Sequence, residues 1–424
     1  MVEIQDLITS KGKLEIENLA VEIPERLNWL GSFGKDPAGG VSRLLYSKEW
    51  CEAQQALKIW METEDLEVKF DEIGNLSGIL KGNDTSETIL TGSHVDTVTN
   101  GGLYDGQYGI VAGVLALKYL KKHYGQPKRN LEVISLAEEE GSRFPYVYWG
   151  SKNVVGTAVR KDVEAIKDFA GVPFIEAMKD SGFSFKEETS APRKDLKAFV
   201  EIHVEQGNVL EIEKKSVGVV HSIVGQRRFT IEVTGEANHA GTTPMGYRKD
   251  AVYAASHMIY ELISSAKQLG DPLVMTVGKM EVKPNIVNVV PGKVIFTIDV
   301  RHTEKDAIVQ FTEILTEKIN KSSKEHGVET SIDMWLDADP VPMDSRIVEI
   351  IEKQCKENSL NYKLMHSGAG HDAQIFAETV PTAMLFVPSR GGISHNPAEY
   401  TEPTDLAEGV KALIGTLYEL AYKE

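Results

Sequence analysis

The sequence predicts an α/β protein with a mainly parallel central sheet, helices on both of its faces, and an inserted α+β unit. Three observations carry this reading. Apolar runs of strand length alternate with helical patterns, as in Ile110–Tyr124 followed by Leu131–Ala137, the order of βαβ units. In the middle of the chain the spacing becomes two, through Phe229, Ile231 and Val233 and again through Val294, Phe296, Ile298 and Val300. That alternation suits a half-solvated antiparallel sheet. Finally, 424 residues exceed one ordinary core, so two domains are expected.

Each element follows from local pattern. Residues 13–31 have helical spacing, and Gly31–Gly40 reads as a loop. Ser47 caps a second helix whose apolar face is Ala53, Leu57, Trp60 and Met61. Val68–Phe70 and Leu76–Leu80 are short strands around a turn at Gly74-Asn75, and Ile89–Thr91 is a buried strand broken by Gly92. In the middle region Val252, Ala255, Ile259 and Leu262 define one helix and Ile308–Glu325 another. Two helices on a small sheet place the inserted unit at residues 216–333, which leaves 1–215 and 334–424 for the first domain. The α/β pattern resumes with a helix from Arg346 to Lys356, a strand at Thr382–Val387 and a last helix from Asp405. The chain has no internal repeat and no low-complexity segment.

Composition narrows the function. A hydrophobic content of 42% with 26% charged residues is that of a soluble globular protein. A formal charge of -17 argues against nucleic-acid and anionic-membrane partners, which require a basic surface. A small anionic substrate stays open, because it answers to local arginines. Cys51 and Cys355 make no disulfide framework and match no zinc spacing. The polar, acidic start and the lack of a membrane-length apolar run point to a reducing cytoplasm.

Four stretches carry chemistry, and each sits at a predicted strand end, where α/β proteins gather their sites. The first is Thr91–Val98 with Gly101–Gly106 after it. Residues two apart on a strand share a face, so Asp96 is expected to hold the His94 imidazole, while Asp105 lies just before a helix N-terminus. The second is the acidic triplet Glu138–Glu140, which follows a buried strand, where three like charges call for a cation. The third is His203 in Phe199–Gly207, and the fourth is His395 in the Gly-rich loop Gly391–Glu399. Each histidine alone is compatible with an ordinary core or loop role. Together the His, Asp, Glu, His and His match two divalent ions sharing one carboxylate.

These stretches, with NHAGTTPM, PNIVNVVPGK, DVRHT and HSGAGHDAQIF, occur in one order along nearly the whole chain. In them the sequence resembles the di-metal aminoacylase and carboxypeptidase superfamily, in its carbamoylase and allantoate amidohydrolase branch. The resemblance implies a catalytic α/β domain and an inserted lid that also dimerises. It implies His94 and His203 on one ion, Glu140 and His395 on the other, and Asp105 between them. Glu139 would be the general base, and Asp96 would orient a ligand. Glu138 receives no role, and His371, a competing ligand candidate, is assigned with Gly370 to the substrate pocket.

Substrate residues follow from the same resemblance. Arg301 would grip a carboxylate, Asn288 and Gln206 would bond a ureido group, and His239 would stabilise the oxyanion from the partner subunit. His221, His257, His302 and His366 receive no catalytic role. The implied reaction is hydrolysis of allantoate, with manganese favoured and zinc or cobalt possible. The segment Phe144–Lys152 favours allantoate over the alternative, an N-carbamoyl-L-amino acid. A catalytically dead dimeric binding protein would lack a ligand or the base, and this sequence has them all.

Overall fold

The computed structural model describes residues 10–185 and 187–423. The polar start read from the first nine residues lies outside them. The described chain divides into two compact units: residues up to His221 together with those from Met343, and the inserted Ser222–Pro342. No helix among the described residues is long and apolar enough to cross a membrane.

In chain order the first unit contributes β1 (Glu67–Phe70), β2 (Leu76–Leu80), β3 (Asp84–His94), β4 (Arg129–Leu136), β5 (Leu196–Val204) and β6 (Val217–Ile223). The inserted unit holds β7 (Gly225–Thr234), β8 (Asn238–His239), β9 (Val274–Lys283), β10 (Val289–Val290), β11 (Lys293–His302) and β12 (Glu329–Ala338). It closes with β13 (Val341–Pro342), and β14 (Tyr362–Ser367) and β15 (Thr382–Val387) follow it.

The large sheet runs β1-β2-β4-β3-β5-β15-β6-β13, with β14 also on β6. Its centre, β4-β3-β5-β15, is parallel. The flanking pairs are antiparallel. β2 and β15 are buried along their whole length, as strands covered on both faces must be. Register then aligns the strand ends: His94 lies opposite Leu136, and His203 opposite Phe386. Four chain exits therefore open at one edge of the sheet.

The helix Gln107–Tyr124 lies close over that centre. A Cβ on Gly109 would come within 2.6 Å of Ile202 O, and one on Gly113 within 2.6 Å of Val133 Cγ2. Only glycine allows this approach, and it brings the start of the helix down onto the strand ends.

The inserted unit is a four-stranded antiparallel sheet, β12-β7-β11-β9. The helices Ala251–Leu269 and Lys305–His326 cover one face, around a core of Phe229, Ile231, Phe296, Ile298, Phe311 and Leu315. Its junctions fall later than the residue-216 and residue-333 positions read from sequence. β6 pairs with β15 in the large sheet, and β12 continues to Ala338 against β7. The sequence pattern assigns no strand to β6, β9, β12 or β14. β9 and β12 are edge strands whose exposed positions carry Met, Lys, Glu and Asp, so their alternation is weak.

Candidate metal centre

β3 ends at His94, and Val95 N still donates to Leu136 O at 3.0 Å. Asp96 lies just past the strand end and reaches the His94 imidazole from there. His94 Nδ1 lies 3.0 Å from the Asp96 carbonyl oxygen and 3.3 Å from its Oδ1. This leaves Nε2 facing Asp105 Oδ1 at 3.3 Å. His203, near the end of β5, turns Nδ1 onto the Val204 carbonyl at 2.9 Å and Nε2 toward the same Asp105 Oδ1 at 3.2 Å. Gly106, at φ 65°, fits between them: a Cβ there would lie 2.5 Å from His94 Cε1.

The other oxygen of Asp105 faces the loop after β15. His395 Nε2 lies 3.2 Å from Asp105 Oδ2 and 3.3 Å from Glu140 Oε1. One carboxylate thus divides its oxygens between two histidine groups. His395 adopts a left-handed φ of 52°, an uncommon conformation for a non-glycine residue and one that recurs at functional sites.

Asp96 organises the acidic turn as well. Its Oδ1 accepts from Glu139 N at 3.0 Å and its Oδ2 from Glu140 N at 3.2 Å. Glu138, without a role in the sequence reading, is a buried strut. Its carboxyl accepts from Gly141 N, and its carbonyl accepts from Gly150 N at 3.2 Å.

The donor atoms suit metal ions. His94, Asp105 and His203 form one group whose ligand atoms all lie within 4.8 Å of one another, and Asp105, Glu140 and His395 form another. His94, Glu139 and Glu140 make an overlapping third. Two ligand atoms 3.2 Å apart that share an ion at roughly 2.1 Å subtend about 100°, an ordinary coordination angle. Mixed imidazole and carboxylate donors fit a divalent transition ion.

Electrostatics agree with a demand for positive charge. Burial works to raise the Asp105 carboxyl, but hydrogen bonds with His203, His395 and His94 hold it well below the usual range. Hydrogen bonds to Asp105 and then Glu140 push the His395 imidazole up to about 10. Glu139 moves the other way: desolvation lifts it well above the usual carboxylate range, opposed by His94 and aided by Glu140.

Several supporting residues carried no signal that single-sequence reading used. Glu201, two before His203 on β5, is fully buried and accepts from Ser93 Oγ at 2.8 Å and Ala373 N at 2.9 Å. Glu399 Oε2 accepts from Tyr104 N at 2.8 Å and Asp105 N at 3.2 Å, while Ser394 Oγ lies 3.1 Å from Asp105 Oδ2. Strand alternation from His203 would have pointed to Glu201. Glu399 needed a contact across 295 residues of sequence.

The sequence-predicted pocket residues fall in two places. Gln206 Nε2 donates to Asp105 Oδ2 at 3.0 Å, and its buried Oε1 has no protein partner. His371 is outside the ligand groups, with Nε2 3.0 Å from Ser367 Oγ and its ring 4.7 Å from that of His203. A Cβ on Gly370 would meet Tyr148 Oη at 2.2 Å, so this glycine is what lets Tyr148 approach.

His239, Asn288 and Arg301 belong to the inserted unit. β8 pairs with β10, so His239 faces Val289, beside the exposed Asn288. Gly241 N donates to His239 Nδ1 at 3.0 Å, which leaves the ring proton of the neutral imidazole on Nε2, an outward donor. Arg301 is held by Asp299 on the same face of β11, with Nε donating at 2.9 Å and Nη2 at 3.3 Å. Arg228 and Gln226 bond the same carboxylate. Asp299 was not singled out in the sequence, although its spacing of two from Arg301 was the available signal.

Comparison with known proteins places this geometry. The model of peptidase family M20/M25/M40 matches residues 90–419. The chain is 55% identical to an allantoate amidohydrolase of Escherichia coli over 95% of its own length and 98% of the relative's. It is 47% identical to an allantoate amidohydrolase of Bacillus subtilis, over 97% and 100%. An N-carbamoyl-L-amino-acid amidohydrolase of Pseudomonas is 36% identical, over 94% and 96%. A crystal structure of a hydantoinase/carbamoylase family amidase from Burkholderia ambifaria superposes with a TM-score of 0.89 at 30% identity, covering 95% of this chain and 97% of that one. With residues 90–419 matched by the family model, and these relatives similar over nearly its full length, the chain belongs to peptidase family M20/M25/M40.

Proposed function

We infer that the protein hydrolyses allantoate: water attacks one carbamoyl carbon, ammonia and carbon dioxide leave in net, and ureidoglycine remains, as a step in purine degradation. The observation that carries this is the complete donor set around Asp105, with Glu139 beside it, in a chain so similar to allantoate amidohydrolases. A catalytically dead binding protein would have lost part of that set.

In this reading His94 and His203 hold one divalent ion, Glu140 and His395 the other, and Asp105 serves both. Manganese is our first choice, then zinc or cobalt. Such a pair, when bound, supplies Lewis acidity and lowers the pKa of water. The protein does the rest. Glu139, whose carboxyl desolvation lifts above the usual range, accepts the proton of the attacking water and passes it to the leaving nitrogen. Asp96 keeps His94 oriented and fixes the backbone of Glu139. Gln206 Oε1 and Asn288 take the ureido N–H groups, Arg301 pairs the substrate carboxylate, and Gly370 and His371 floor the pocket. His239 donates Nε2–H to the oxyanion from a partner subunit of a homodimer. Two unpaired cysteines accord with our placement of the protein in a reducing cytoplasm.

An N-carbamoyl-L-amino acid is the second substrate reading, favoured by the more distant Pseudomonas relative. A panel decides between them. Metal-stripped protein is tested on allantoate, N-carbamoyl amino acids and an N-acetyl amino acid, with manganese, zinc or cobalt restored. Faster turnover of a carbamoyl amino acid than of allantoate would overturn the first choice.

Arg301→Lys keeps the charge but loses the fork that Asp299 orients. We expect kcat/KM on allantoate to fall about 10–100-fold with little change in thermal stability. Unchanged efficiency would mean that the carboxylate binds elsewhere.

The shared site predicts complementation. Glu139→Gln homodimers lack the base in both sites, and His239→Ala homodimers lack the oxyanion donor in both. A mixed dimer holds one whole site, and about half of freely exchanging dimers are mixed, so co-expression at equal levels should restore about a quarter of wild-type activity. Verified heterodimers that stay inactive would place His239 in its own subunit's site or in none.

A further inference from the structure

A second cluster of metal-ligating side chains lies within the inserted unit, on the two helices that cover its sheet. His257 sits in the middle of Ala251–Leu269, and His326 is the last residue of Lys305–His326. Their nearest ring nitrogens, His257 Nδ1 and His326 Nε2, are 3.2 Å apart. Glu325 completes a group whose ligand atoms all lie within 4.8 Å of one another. Both imidazoles are half-buried and Glu325 is exposed, so the cluster is open to solvent on one side.

We propose that His257, Glu325 and His326 form a further metal site, for one divalent ion of the zinc class, which clamps the end of one helix to the middle of the other. Two nitrogens 3.2 Å apart, each about 2.0–2.1 Å from a zinc ion, subtend about 100°, close to a tetrahedral edge. The carboxylate is the third donor, and water takes the open fourth position. Each imidazole binds as the neutral base, keeping its N–H on the ring nitrogen turned away from the ion.

The surroundings orient these donors. Ser322, one turn before His326, places Oγ 3.2 Å from His257 Nδ1 and holds that nitrogen toward Lys305–His326, in a bond the ion would replace. The Tyr253 ring stands edge-on to His326, with centroids 4.7 Å apart, and fixes its plane. The helix ends on His326, with Gly327 at φ 64°, so its terminal carbonyls also favour a cation. The competing charges are weak or engaged: Lys321 lies 3.9 Å from Glu325, both exposed, and Lys318 is paired with Glu261 at 2.8 Å. Two imidazoles and one carboxylate select zinc, nickel, cobalt or copper over magnesium and calcium, which require oxygen.

This site stands on the geometry of the inserted unit alone, whatever the substrate. The test is zinc uptake by the full protein, already loaded with metal at its strand-end centre, by equilibrium dialysis against free zinc in excess magnesium. Wild type should hold one more zinc ion per chain than the double variant His257→Gln/His326→Gln. Zinc should raise the unfolding temperature of wild type only, and turnover of allantoate should be equal in both. Glu325→Gln, an exposed change that leaves the helix packing intact, should bind the extra ion about tenfold more weakly. Equal zinc stoichiometry in wild type and double variant would overturn the proposal, as would equal affinity in wild type and Glu325→Gln.

Discussion

Glu139→Gln is expected to lower turnover of allantoate by about 10²–10⁴-fold while the chain keeps two ions. The amide has nearly the shape of the carboxylate, so the turn held by Asp96 through the Glu139 and Glu140 amides should persist. What disappears is a group able to accept and return a proton. Glu140→Gln makes the complementary case. Glu140 Oε1 faces His395 Nε2 at 3.3 Å, so its replacement should release one ion and leave the His94 and His203 side loaded. Metal analysis after dialysis, beside steady-state rates, separates the two. Full occupancy in Glu140→Gln with one ion missing in Glu139→Gln would show that the roles are exchanged.

Asp105→Asn should have the largest effect on the metal content: both ions lost, and activity with them. Asp105 is buried, and its two oxygens face His94, His203 and His395. An amide offers one neutral acceptor and places an NH₂ group against imidazoles on the other side. Removing a partner that only orients a ligand typically costs 10–100-fold in affinity. Losing the shared anionic ligand should cost more than about 100-fold at each position. The amide oxygen can still accept from Gln206 and Ser394, which bond Asp105 in the native protein, so the fold should survive. Circular dichroism close to wild type with fewer than one ion per chain is the expected pair of results. Retention of two ions would remove Asp105 from the shared position.

The two variants differ in what they test. Glu139 is argued from its place beside the donors and from desolvation, Asp105 from its distances to three imidazoles and the hydrogen bonds that hold its carboxyl low. A chain that kept its metal in both variants but lost activity only in Glu139→Gln would leave the base intact and require a different bridging group. The substrate panel is independent of both, because either substrate class uses the same donors.

Much of this was legible in the sequence because it is local. A strand that ends in His, a Gly-rich turn that carries Asp before a helix, and an acid triplet after a buried run are each contained in a dozen residues. Their backbone preferences and donor chemistry can be read without a partner. The parallel core was legible for the same reason, since β4, β5 and β15 carry apolar runs and β3 holds the pair Ile89-Leu90 just before its Gly and His. The edge strands β9 and β12 were not, because much of their surface faces water and their composition matches that of loops. The junction at β6 was missed since only pairing with β15 shows to which sheet it belongs.

By itself, then, the sequence determined the fold class and the family, and it named candidate metal donors from their residue types. Tertiary structure alone decided that Asp105 splits its oxygens, that Asp96 sets the backbone of the acid turn, and that Glu138 is a strut. It also decided that Glu399 supports the Asp105 loop, that Asp299 aims Arg301, and that His239 presents its Nε2 proton. The reason is physical. Residue type sets what a side chain can donate or accept, and local pattern sets its element. Which oxygen meets which nitrogen depends on strand register, a glycine-permitted helix approach and contacts between residues nearly 300 apart, and those exist only once the chain has packed.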